Sequence, residues 1–69
     1  MRYWYYNELG TNRPLVVSDK EILAHYWEHW KTLMQKAINR GSPNVTPDMI
    51  TEENCIRDWV VVHWAWEKL

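Results

Sequence analysis

Phenylalanine is missing from this chain altogether, glycine occurs twice and cysteine once. A single thiol, Cys55, excludes an internal disulfide and fits a reducing, cytoplasmic setting. With only Gly10 and Gly41, no glycine-rich loop is available to cradle a phosphate, and no serine-nucleophile elbow is present. No apolar run reaches the roughly 18 residues of a membrane span, and no signal-peptide pattern opens the chain. An excess of charge of either sign is lacking too, since the net charge is −1. Nucleic-acid binders carry a basic face and DNA mimics a strongly acidic one, so neither class is expected. Up to Arg40 there are six basic against four acidic residues, and beyond it two against five. That mild asymmetry reads as an ordinary solvated surface.

What is abundant is the large ring: six tryptophans and four tyrosines in 69 residues. The length implies one domain, residues 1–69. Such a chain buries only about 60% of its unfolded surface. Rings that bury roughly 150–250 Å² each are the evident means of enlarging so small a core.

The stretch Ser18 to Gly41 organises the rest. Ser18 followed by Glu21 is a capping box, and Asp19 and Glu21 put negative charge at the positive end of the helix dipole. Apolar residues recur at Ile22, Leu23, Tyr26, Trp27, Trp30, Leu33, Met34, Ala37 and Ile38, one stripe of a helix over about residues 19–40. Glu21, Glu28, Thr32, Gln35 and Asn39 take the opposite side. Gly41 is placed as the left-handed stop, after Lys36 and Arg40.

Ahead of the helix, RYWYYN (residues 2–7) and PLVV (14–17) read as strands of a hairpin, with Gly10 and Asn12 as turn residues able to take positive φ. After it, SPNVTPDM is a loop, and Thr51 followed by Glu52 and Glu53 starts a short second helix over about residues 52–58. The valine-rich tail reads as a strand beside the first, over about residues 59–67. Val60, Val62, Trp64 and Trp66 would face inward, and Val61, His63, Ala65 and Glu67 outward. A helical reading of residues 52–68 is the alternative. The expected fold is therefore α+β in the order β-β-α-α-β: a three-stranded antiparallel or mixed sheet with the long helix packed on one face.

Three constellations bear on chemistry. His25-Tyr26-Trp27-Glu28-His29 matches the H-x-x-E-H pattern of inverted zinc peptidases, in which two histidines one turn apart hold zinc and the glutamate acts as base. Here His25, Glu28 and His29 lie on the polar side of the helix, where such residues need no special reason to be. His63, Cys55 and Asp58 are the only completions in sight. Solvated surface residues are the plainer reading, and no metal or other cofactor is expected. Cys55 sits in ENCIRD without a neighbouring base, so an inert buried thiol is expected. Third, Tyr3, Trp4, Tyr5 and Tyr6 are consecutive. If Trp4 and Tyr6 point inward, Tyr3 and Tyr5 point outward, joined by Val61, His63 and Ala65 of a neighbouring strand. An open face of that kind suits contact with a protein partner or a second copy. Rings on a sheet can also stack a nucleobase, with Arg2 or Arg57 holding the phosphate, so a small nucleotide stays the alternative ligand.

The order YWYY, SDKEI–HYWEHW–LM and ENCIRDWVVVHWAWE resembles a group of small uncharacterised proteins of phages and bacteria, most specifically over residues 53–67. The resemblance implies a compact domain encoded on its own by a phage or mobile element. Proteins of that class often bind and block a host factor. It passes on no site residue. The expectation is a non-enzymatic interaction module working through Tyr3, Tyr5, Val61 and His63.

Overall fold

Ser18 is where the hairpin becomes a helix, and its side chain is what makes the junction. In the computed structural model, which describes residues 2–69, its Oγ accepts the Glu21 N–H at 3.2 Å while Glu21 Oε1 accepts the Ser18 N–H at 3.2 Å. Both halves of the capping box are therefore formed. The helix it starts, α1, spans Asp19–Asn39 and ends at Gly41 with φ +81°. Before it, β1 (Tyr3–Asn7) and β2 (Pro14–Ser18) pair antiparallel, with Tyr5 opposite Val16 and Tyr3 opposite Ser18. Gly10 (φ +90°) and Asn12 (φ +55°) supply the left-handed residues of the turn.

The second helix departs from expectation. It begins at Thr51, whose side chain accepts the Asn54 N–H, but runs on as α2 over Glu52–Val62 rather than stopping near residue 58. The third strand, β3, shrinks to Trp66–Glu67. It does lie antiparallel beside β1, giving the sheet order β2-β1-β3 and the element order β-β-α-α-β around a 3-10 turn at Pro47–Met49. The reason is burial. Cys55, Ile56, Trp59 and Val60 recur at helical spacing, and the first three are buried, Trp59 to 8% exposure. A valine costs a helix at most about 0.7 kcal/mol, whereas burying one large apolar side chain contributes about 1.5–3 kcal/mol. Packing outweighs the β preference of three valines.

The core is made by Ile22 of α1 and Ile56 and Trp59 of α2, with Trp4, Tyr6 and Val17 from the inner sheet face packed against them. Trp4 and Tyr6 thus point inward as expected. On α1 the buried residues are Ile22 and Trp30, and Leu23 and Tyr26 pack against the cluster that Ile22 makes with α2. Tyr26 Oη donates to Asp58 Oδ2 at 3.0 Å, joining the helices. Arg2 joins three elements: its Nε donates to Asp19 Oδ2 at 2.9 Å and its Nη2 to Glu53 Oε2 at 2.6 Å, in the first turns of α1 and α2. Asp19 Oδ1 also accepts the Trp4 indole N–H at 2.7 Å.

Candidate interaction surface

Alternation along β1 puts Tyr3 and Tyr5 on the sheet face away from the helices. The register adds Val16 from β2 and Trp66 from β3, both directly opposite Tyr5. The Tyr5 and Trp66 rings lie 5.8 Å apart at an interplanar angle of 30°, and Lys68 Nζ stands 5.9 Å from the Tyr5 ring centre. Tyr3, Val16 and Trp66 are each close to half exposed. The result is an open strip of three rings and a valine with one ammonium beside it. A cation over a ring is attracted by the ring's negative face, and one long aliphatic stem shields apolar surface that water would otherwise cover.

Of the four residues expected here, Tyr3 and Tyr5 are in place. Val61 and His63 are not on the sheet at all. Because α2 continues through Val62, Val61 lies on a helix, exposed, with no strand neighbour. His63 caps α2 and turns inward: its Nδ1–H donates to the Trp59 carbonyl at 2.8 Å, and its ring stacks on Trp59 at 4.1 Å with Tyr6 edge-on at 5.9 Å. Trp66, read as an inward residue, faces outward. A strand that begins after a helix and a turn has a different phase from one counted through residues 59–67, and one step of phase exchanges the two faces. Ala65, read as outward, packs on the core for the same reason. The signal that would have found Trp66 is the Ile56–Trp59–Val60 spacing, which carries the helix past Asp58.

The other constellations fare differently. His25, Glu28 and His29 are exposed on α1, with Glu28 Oε1 3.1 Å from Lys31 Nζ and the His29 ring beside Tyr26. Cys55 is fully buried, Asp58 accepts from Tyr26 and His63 is engaged with Trp59, so none of the three completions approaches them. Among the described residues no cluster of three or more His, Cys, Asp or Glu is placed to hold a metal ion. Burial pushes the Cys55 thiol up to about 11, with the Asp58 carboxylate adding to the effect. Burial and then the Asp58 hydrogen bond push Tyr26 up to about 12. A thiol held protonated in this way is no nucleophile. Arg2 is engaged by two carboxylates, which raise its pKa further through hydrogen bonds, first to Asp19 and then to Glu53. Arg57 is exposed and borders a shallow hollow between the helices with Trp30, Met34 and Met49. Neither arginine stands over the outer rings; the cation that does is Lys68.

No helix among the described residues is long and apolar enough to cross a membrane. Comparison with protein-family models, with curated proteins and with solved structures finds no match for this chain.

Proposed function

We propose that this protein is a non-enzymatic interaction module that binds another protein through the outer sheet face. The observation that carries the reading is the strip of Tyr3, Tyr5, Trp66 and Val16 on the outer sheet face, of which Tyr3, Val16 and Trp66 are close to half exposed. Tyrosine and tryptophan supply large contact area at low entropic cost, and they are the residues in which interfaces concentrate their binding energy. The inert thiol and the histidines, which lack a third ligand, offer no competing catalysis. On this reading the chain is an accessory protein that occupies and blocks a host factor, the role that a resemblance of residues 53–67 to small phage and bacterial proteins would imply. The lone Cys55 supports a cytoplasmic setting.

The test is native mass spectrometry of untagged protein recovered from its own host cells. A complex with a second protein is expected for the natural chain and is lost in Tyr3→Ser/Tyr5→Ser. If that double substitution leaves every assembly unchanged, the sheet face is not the binding surface. A second reading rests on the Tyr5–Trp66 pair with Lys68, which together offer ring faces and one cation to an anionic aromatic ligand such as a nucleotide. It predicts a rise in Tm with at least one member of a nucleotide panel, abolished in Lys68→Ala. A panel without any shift removes it.

A further inference from the structure

The motif His25-Tyr26-Trp27-Glu28-His29 finds no third ligand in this fold, yet its two histidines already have the spacing of a chelate. Helix α1 runs for 21 residues, and both histidines lie more than a turn from either end. Helix ends fray and interiors do not, so the backbone beneath the pair is fixed. Residues four apart on a helix stand one above the other, with Cβ atoms about 5–6 Å apart. Two Zn–N bonds of about 2.0–2.1 Å at a tetrahedral angle require nitrogens about 3.3 Å apart. Imidazoles leaning together from that spacing reach it, which is why zinc-binding helices place histidines four residues apart.

The surroundings leave both rings available. His25 and His29 are exposed, so closing them on an ion disturbs no packing. Among the described residues neither ring enters a hydrogen bond or ion pair, whereas His63 spends its Nδ1 on the Trp59 carbonyl. The His29 ring lies 6.1 Å from Tyr26, centre to centre. Glu28 places a carboxylate within the same turn, and its ion-pair partner is Lys31, at 3.1 Å. Lys31 lies well round the helix from the histidines, with its Nζ 5.0 Å from the Trp27 ring centre, so the ammonium leans away from the pair. No stronger donor set competes among the described residues: Cys55 is wholly buried and Asp58 accepts from Tyr26.

We propose that His25 and His29 form an exchangeable two-histidine site for a first-row transition-metal dication of the class of Zn²⁺, Ni²⁺ or Cu²⁺, with water in the remaining positions. Imidazole nitrogen suits these ions, whereas Mg²⁺ and Ca²⁺ require oxygen ligands. Carrying both donors on one rigid helix makes the second contact intramolecular, which strengthens binding by about 10²–10⁴ over a single site. Water in the open positions makes the ion easily lost and leaves room for a donor from another molecule. Holding an ion in this way is not catalysis. It adds a ligand to the non-enzymatic reading, and it stands whether or not the sheet face binds a protein.

The experiment is isothermal titration calorimetry of the untagged full chain with zinc chloride, repeated with magnesium chloride. One zinc ion per chain is expected to bind, saturating below millimolar concentration and raising Tm, while magnesium does neither. His25→Ala and His29→Ala should each bind zinc about 10²-fold more weakly or worse, because the gain of chelation is gone. Both side chains are exposed and alanine is the strongest helix former, so both variants should melt like the parent without metal. The proposal is overturned if the parent shows no saturable zinc binding below millimolar concentration. It is overturned equally if either variant binds zinc as tightly as the parent, since the ion then sits elsewhere, or if magnesium binds as well as zinc, since carboxylates then hold it.

Discussion

Replacing a tryptophan by glycine in a small domain ordinarily costs several kcal/mol, yet Trp64→Gly should leave the monomer's stability almost unchanged. The ring is 87% exposed, so about an eighth of it is covered. For an indole of roughly 200 Å², that is about 25 Å², or about 0.6 kcal/mol at 25 cal/mol per Å². The added freedom of glycine in the unfolded chain costs about 0.5–1 kcal/mol more. Against these, Trp64 has φ +54°, and releasing its Cβ from that left-handed region returns about 1–2 kcal/mol. The terms cancel to within about 1 kcal/mol. Trp64→Ala keeps the Cβ and loses the ring, so it should be the less stable of the two by about 1 kcal/mol. Trp59→Ala, by contrast, empties the core and should cost about 3–5 kcal/mol, since Trp59 is only 8% exposed. The assay is urea unfolding followed by far-UV circular dichroism. A loss of about 2 kcal/mol or more in Trp64→Gly would show that the ring holds the monomer together, and the reasoning from strain would be wrong.

Three other outcomes follow from the same geometry. Ser18→Ala removes one half of the capping box at a residue only 5% exposed, and should cost about 0.5–2 kcal/mol in urea unfolding; a smaller cost would mean that Glu21 alone satisfies the helix start. Asp19→Ala takes the acceptor from both Arg2 and the Trp4 indole and should cost about 1–3 kcal/mol, whereas Glu53→Gln, at the exposed arm of the same cluster, should change stability by less than about 1 kcal/mol. If the two variants are equally destabilised, Arg2 rather than the Trp4 N–H is the group that matters. Stability should fall as pH rises from about 9 towards 12. The folded chain binds the Cys55 and Tyr26 protons more tightly than the unfolded one, whose values are the ordinary 9.0 and 10.0, so the loss begins at the unfolded values and ends near the folded ones of about 11 and about 12. Cys55→Ala/Tyr26→Phe should flatten that slope, and an unchanged slope refutes the assignment.

Local chemistry made much of the fold legible. The capping box at Ser18, the left-handed stop at Gly41, the turn around Gly10 and Asn12 and the inward phase of Trp4 and Tyr6 all depend on residues close in sequence. Each such interaction forms on the same terms whatever packs above it. The third strand lies beside β1, as expected of the C-terminal segment. The outer strip was half legible: Tyr3 and Tyr5 follow from alternation within β1, but Trp66 needs the phase of β3. That phase depends on where α2 ends.

The sequence by itself, then, determined the elements, their order and the hairpin's two faces. Tertiary structure alone decided the fate of residues 59–65. In isolation the run of valines and tryptophans suits a strand slightly better than a helix, a preference of tenths of a kcal/mol per residue. Folding opposes that preference with the burial of Ile56 and Trp59 against Ile22, which is worth several times more and exists only once α1, α2 and the sheet meet. From that one choice come the inward turn of His63, the outward face of Trp66 and the exposed, left-handed Trp64.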